Sequence, residues 1–156
     1  MNEIQKQAWI TSLRILTASP KSAKELAGKL REKGYPEKII EETLMALREK
    51  AILNDRSFAT AVLTKFQEIR PSGRHKIAFE LKRRGIAKEV CAETLAKIRP
   101  EDERALALEL TRARWDKWEG LTPEKRKKRT YDFLSRRGFD YELIRDVVES
   151  FSQSAS

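Results

Sequence analysis

Apolar positions along this chain recur at helical spacing, and the same phrase of them occurs three times. A leucine, three mostly charged residues and a glycine appear as Leu30 to Gly34, Leu81 to Gly85 and Leu134 to Gly138. Five residues past each glycine stand Ile39, Val90 and Leu143; ten past it Leu44, Leu95 and Val148; thirteen past it Leu47, Ile98 and Phe151. A repeat with a period of about fifty residues indicates stacked supersecondary units, which offer extended surfaces instead of one buried pocket.

Each repeat reads as three helices. In the first, Trp9, Leu13 and Leu16 form a stripe that stops at Ser19-Pro20, since proline cannot continue a helix. Ser22-Ala-Lys-Glu25 has the form of a capping box and opens a second helix with Leu26 and Leu30 inward; Gly34 ends it, and Pro36 suits the start of a third bearing Ile40, Leu44 and Leu47. The second repeat opens at Asn54-Asp55 and carries Phe58, Val62, Phe66 and Ile69 at helical spacing. Pro71-Ser-Gly73 breaks the chain before a helix with Ile77 and Leu81, and after Gly85 come Val90, Leu95 and Ile98. In the third, Glu101-Asp102-Glu103 and then Arg112, Arg114 and Lys117 suit the two ends of a helix macrodipole, with Leu108, Thr111, Trp115 and Trp118 on one face. Thr122-Pro123 opens a helix ending at Gly138, and Asp140 caps a last one bearing Ile144, Val147, Val148 and Phe151. No alternating strand pattern occurs. The expected fold is all-α: nine helices in three tandem three-helix repeats, over 1–52, 53–99 and 100–156, in an elongated, curved array with an unstructured tail from Ser152 to Ser156. Gly34, Gly85 and Gly138 are structural.

Charge alters this picture more than composition does. The net charge is +9, and it is uneven. Residues 65 to 88 hold eight Lys/Arg against Glu68 and Glu80, and residues 112 to 137 hold ten against Asp116, Glu119, Glu124 and Asp132. Each stretch is therefore +6, whereas the first fifty residues hold ten basic and seven acidic residues. A polyanion or an acidic protein groove is the implied partner.

Catalytic parts are scarce. Six glycines leave little material for phosphate loops, and there is no nucleophile elbow or zinc-helix motif. His75 is the single histidine and Cys91 the single cysteine, so a histidine triad, a zinc site and an intrachain disulfide lack their components. Cys91 reads as a buried, inert thiol, and the carboxylates at Glu41-Glu42 and 101–103 read as solvated surface. Neither a catalytic residue nor a metal or other cofactor is expected. There is no membrane-length apolar run and no signal-peptide layout at Met1, so a cytoplasmic monomer is the expectation.

Two basic segments are candidate contacts. At about 100° per residue, the helix from Arg74 to Arg84 puts Ile77, Ala78 and Leu81 on one side and Phe79 nearly opposite, between Lys76 and Arg83 on one flank and His75 and Lys82 on the other. Phe79 either packs on a partner while the cations meet carboxylates or phosphates, or fills the seam between neighbouring repeats; for Phe79 alone the seam is the simpler expectation. Lys125, Arg126, Lys127, Lys128 and Arg129 form the densest run, either a solvated face or a cationic rim for a polyanion. Trp9, Trp115 and Trp118 read as core.

The elements Leu53-Asn-Asp55-Arg-Ser-Phe58-Ala59, Gly73, Ile77, Glu80-Leu81 and Arg84-Gly85-Ile86 resemble the central signature of the RecX family of bacterial recombination regulators. Arg136-Arg-Gly138-Phe139 is similar to its C-terminal signature, and the resemblance spans residues 8 to 151. Ala51 departs from the pattern, standing where the family usually has glycine. The resemblance implies a protein that lodges in the groove of the RecA filament on single-stranded DNA and inhibits its ATP hydrolysis, strand exchange and co-protease activity, modulating recombination, DNA repair and the SOS response. On that reading Arg70, Arg74, Lys76, Phe79, Lys82, Arg83 and Arg84, with Lys125 to Arg129, Arg136 and Arg137, contact the filament or its DNA. A free-standing basic helical DNA-binding protein, and a helical adaptor for some other acidic partner, are the alternatives.

Overall fold

The computed structural model describes residues 1 to 154. Among them lie nine α-helices and no strand: α1 Glu3–Ala18, α2 Ala23–Glu32, α3 Glu37–Glu49, α4 Asp55–Glu68, α5 Arg74–Arg83, α6 Lys88–Leu95, α7 Pro100–Trp115, α8 Pro123–Arg136 and α9 Tyr141–Ser154. The chain forms two compact units, the first from Met1–Ala61 with Leu81–Cys91, the second from Val62–Glu80 with Ala92 onward.

Local chemistry sets the helix ends. The Ser22 hydroxyl accepts from the Glu25 N–H while the Glu25 carboxylate accepts from the Ser22 N–H, a complete capping box, and Asn2 with Gln5 builds a second. Thr122 caps α8 by accepting the Lys125 N–H, with Pro123 in the first turn. Gly34, Gly85 and Gly138 follow α2, α5 and α8 with φ of +90°, +82° and +86°, a region that a side chain disfavours. Ala51 takes the same left-handed conformation, φ +57°, so the turn after α3 forms without its glycine.

In the first unit, Leu26 and Leu30 from α2 meet Ile40, Leu44 and Leu47 from α3, with Trp9, Leu13 and Leu16 of α1 packed half-buried against them. In the second unit, Ala107 of α7, Phe133 and Leu134 of α8 and Ile144, Val147 and Val148 of α9 make the corresponding core, joined by Trp118 and Phe151. Burial of leucine-sized side chains supplies about 1.5–3 kcal/mol each, the main stabilising contribution.

Three expectations are corrected. The helix of the third repeat stops at Trp115, and Asp116–Trp118 continues as a single 3₁₀ turn. Ile69 does not face the core: it lies past the end of α4 and is 73% exposed. The final helix runs through Ser154, three residues into the segment expected to be unstructured, of which Ala155 and Ser156 lie outside the described residues. Among the described residues no helix is long and apolar enough to cross a membrane.

Candidate partner-binding surface

Some of the candidate arginines serve the fold itself. The start of α2 sits against the turn after α5, within the first unit. The Ser22 hydroxyl donates to the Arg84 carbonyl, the Ala23 N–H donates to Asp55 Oδ1 at 2.8 Å, and the aliphatic stem of Lys24 lies over Gly85. Arg84 is held there: its Nε donates to Glu25 Oε2 at 2.7 Å, and its guanidinium lies 4.8 Å from the centre of the Phe58 ring. Burial works against ionisation of Glu25, but the bonds from Arg84 and the Ser22 N–H together with nearby positive charge outweigh it, and its pKa is lowered.

The second unit builds the same joint one repeat later. The start of α5 sits against the turn after α8: the Gly73 N–H donates to the Arg137 carbonyl at 2.7 Å and the His75 N–H to the Gly138 carbonyl at 3.0 Å. The Arg74 N–H donates to Glu103 Oε2 at 2.8 Å, as Ala23 does to Asp55, and Arg74 Nε donates to Glu103 Oε1 at 3.2 Å. Arg137 reaches the Pro71 carbonyl at 3.0 Å, and Arg84 points at that of Pro20, its equivalent, from 3.5 Å. Counting back from the repeat glycines pairs Pro20 with Pro71, Ser22 with Gly73 and Ala23 with Arg74, and pairs Arg84 with Arg137. Glu103 is consequently buried, correcting its reading as solvated surface; a carboxylate from the next repeat takes the first N–H of α5, as Asp55 takes that of α2.

Arg126 is likewise engaged. Its Nε and Nη2 donate to the Trp115 carbonyl at 3.2 and 2.6 Å, and its guanidinium lies 3.8 Å from the Trp115 ring centre, placing a cation at the C-terminus of α7. Trp115 also packs on Phe151, and all three tryptophans are half-buried. Of the candidate residues, then, Arg74, Arg84, Arg126 and Arg137 are tied into the fold by these bonds.

The others face solvent: Arg70, Lys76, Phe79, Lys82 and Arg83, then Lys125, Lys127, Lys128, Arg129 and Arg136. Phe79 is 67% exposed, so it does not fill a seam between repeats, correcting that expectation. Cys91 is half-buried instead of buried; its partial removal from water, and then the nearby Glu89 carboxylate, push the thiol pKa up, which lowers thiolate reactivity.

Comparison with known proteins agrees with this architecture. A family model described as the first three-helix domain of RecX matches residues 8–45, and one described as its third three-helix domain matches residues 101–148. Regulatory protein RecX of Chlorobium phaeobacteroides is 32% identical over 149 residues, which cover 96% of each chain. Regulatory protein RecX of a Mycobacterium species is 34% identical over 149 residues, covering 92% of this chain and 81% of the relative. The crystal structure of RecX from Lactobacillus salivarius superposes with a TM-score of 0.90 over 98% of this chain and 99% of that one, at 17% identity, which speaks to the fold alone. Sequence signatures, three-helix units and these relatives agree: the chain belongs to the RecX family of regulatory proteins.

Proposed function

We propose that this protein binds the filament formed by the RecA recombinase on single-stranded DNA and inhibits its ATP hydrolysis, strand exchange and co-protease activity, thereby modulating recombination, DNA repair and the SOS response. Membership of a regulatory family supports the reading, and one observation carries it at the level of residues. After the joints have taken their arginines, solvent-facing cations remain on α5 and α8, and a phenylalanine stands 67% exposed on α5. Exposed aromatics beside cations are the composition of binding hot spots facing acidic partners. Contacts spread over several helices suit a polymeric partner, because linked weak contacts raise the overall affinity well above that of any one.

The proposed contacts are Arg70, Lys76 and Phe79, Lys82 and Arg83, and Lys125, Lys127, Lys128, Arg129 and Arg136; Arg74, Arg84, Arg126 and Arg137 shape the surface that carries them. The test is ATP hydrolysis by RecA on single-stranded DNA with this protein added, against an unrelated basic DNA-binding protein. Strong inhibition at well under one molecule per RecA protomer, absent in the control, is expected; inhibition equal to the control's overturns the proposal.

Phe79 among cations also fits a free-standing DNA-binding protein, with a base stacked on the ring. Salt separates the two readings: on duplex DNA, log affinity falls by about 0.9 per neutralised phosphate for each tenfold rise in salt. A protein groove leaves a salt-resistant remainder.

A further inference from the structure

The two joints differ in how they treat the arginine turned inward beside the glycine. In the first unit Arg84 has a counter-ion, since its Nε donates to Glu25 Oε2 at 2.7 Å. Counting back from the repeat glycines places Lys76 where Glu25 stands, so the second joint has a cation in place of that carboxylate. Lys76 lies against Gly138, beside Arg137. Two carboxylates of the second joint are engaged elsewhere, Glu103 by Arg74 and Asp140 by His75 Nε2 at 3.2 Å.

A further cation comes from outside the joint. Arg114, near the end of α7, lays its guanidinium 4.2 Å from the centre of the Phe133 ring, and that of Arg137 lies 5.3 Å from the same centre. The two guanidinium groups are therefore closer together than the screening length of about 10 Å in 0.1 M salt. Arg137 makes one hydrogen bond, from Nη1 to the Pro71 carbonyl, and Arg114 makes none; neither forms an ion pair among the described residues. Both side chains are half-buried. Two guanidinium forks partly withdrawn from water, with most of their N–H groups unused and no counter-ion, repel each other and favour any anion that meets both.

We propose that Arg114, Arg137 and Lys76 form an anion site that takes a backbone phosphodiester of a nucleic-acid strand. The donors come from three elements, the end of α7, the turn after α8 and the first turn of α5. A tetrahedral phosphate accepts from such divergent directions, whereas a planar carboxylate is filled by a single arginine fork. Phe133 is 8% exposed with guanidinium groups on its ring, so no base stacks there and the contact is independent of sequence. Arg136, exposed beside Arg137, extends the positive charge toward a neighbouring phosphate. The site does not rest on the RecA reading, and its test contains no RecA.

Fluorescence anisotropy of a labelled oligothymidylate titrated with the full chain, across a series of salt concentrations, makes the test. Arg114→Gln removes one guanidinium from the ring, and Arg112→Gln removes the same charge from an exposed position on the same helix. Arg114→Gln is expected to weaken binding about tenfold and to make the slope of log affinity against log salt shallower by about 0.7, the loss of one phosphate contact on a single strand. Arg112→Gln binds close to the wild type. Lys76→Glu gives the second joint the counter-ion that Glu25 gives the first, so binding falls at least as far while the melting temperature stays at or above that of the wild type; this variant leaves the Phe133 contacts in place. A wild type that does not bind, equal losses in the Arg112 and Arg114 variants, an unchanged salt slope in Arg114→Gln, or unaltered binding by Lys76→Glu overturns the proposal. So does displacement of the oligonucleotide by poly-glutamate as readily as by unlabelled oligothymidylate, which assigns the site to carboxylates.

Discussion

Gly34, Gly85 and Gly138 share a backbone conformation but not an environment, so replacing each by alanine separates backbone strain from packing. The left-handed conformation costs a non-glycine residue about 1–2 kcal/mol. Alanine also restricts the unfolded chain, which offsets about 0.4–1 kcal/mol. At Gly34 nothing else happens, because the new methyl group enters open space; the net loss is about 1 kcal/mol. At Gly85 the methyl lands 2.5 Å from Lys24 Cδ and 2.8 Å from its Cβ. The lysine stem shifts, and with mild overpacking the total is about 2 kcal/mol. At Gly138 it lands on the Lys76 backbone nitrogen and 2.5 Å from Lys76 Cβ, so α5 itself must retreat. That breaks the bonds from Gly73 to Arg137 and from His75 to Gly138, and strain, overpacking and two hydrogen bonds at about 1 kcal/mol each bring the loss to about 4–5 kcal/mol. At about 2–4 °C per kcal/mol for a chain of this size, Gly34→Ala melts a few degrees below the wild type and Gly138→Ala more than about 10 °C below it. Thermal denaturation followed by helical circular dichroism checks the order, with tryptophan fluorescence as a second probe, since Trp9 lies in one unit and Trp115 and Trp118 in the other. Equal shifts at the three glycines, or a Gly138→Ala protein as stable as Gly34→Ala, would refute the assignment of the turn after α8 as a close-packed joint.

Ala51→Gly relieves the one positive φ held by a non-glycine residue among those described, and a gain of about 0.5–1 kcal/mol in urea denaturation is expected after the entropy of the unfolded glycine is subtracted. Glu103→Ala leaves the Arg74 N–H and guanidinium without their acceptor, and a loss of about 2–3 kcal/mol is expected by the same measurement, reduced from the value for a fully buried pair because Arg74 is partly exposed. The Glu25 carboxylate has a folded pKa below its unfolded one, so its contribution is complete above the ordinary value of 4.5 and is lost as pH falls through the lower folded value; denaturation midpoints for Glu25→Gln should fall less than the wild type's across that acid window. Phe79→Ala should leave the melting temperature within about 2 °C, as for an exposed side chain, while weakening inhibition of RecA ATP hydrolysis by about tenfold or more; unchanged inhibition removes Phe79 from the contact surface.

The helices were legible in the sequence because their causes are local. Ser22 with Glu25, Thr122 with Pro123, and a glycine after each Leu-x-x-x run act over three or four residues, and the 3.6-residue period selected Leu30, Leu81 and Leu134 for burial. Ile69 fits the same period and is exposed, since α4 ends at Glu68 and periodicity does not mark where a helix stops. Phe79 was placed on the outer face by geometry alone; whether that face was covered depended on neighbours that no spacing rule supplies. Glu103 failed for a similar reason. In a first turn, beside two exposed acids, it had the composition of solvated surface, and its burial follows from Arg74, which lies 29 residues away.

The arginines carry the deepest ambiguity, and the repeat itself resolves it. Arg83-Arg84-Gly85 and Arg136-Arg137-Gly138 each present two identical side chains, and charge counting treats all four as one resource. The turn does not. The residue next to the glycine is turned inward, so Arg84 meets Glu25 and Phe58 while Arg137 meets the Pro71 carbonyl and lies 5.3 Å from the centre of the Phe133 ring. The residue before it faces solvent. Aligning the three repeats shows the signal before any coordinates: the inward position reads Lys33, Arg84, Arg137, and the two arginines are those whose preceding repeat supplies a Pro20 or Pro71 carbonyl. At the first of the three inward positions stands a lysine, Lys33, with one compact ammonium in place of a planar fork. Arg84→Lys and Arg136→Lys therefore separate joint from surface at constant charge. Arg84→Lys loses the bond to Glu25 and the stacking on Phe58, and should lower the melting temperature by several degrees, about 1–2 kcal/mol. Arg136→Lys should leave stability and the strength of inhibition close to wild type. Equal stability losses in the two variants would mean that position within the turn does not assign the two arginines their separate tasks.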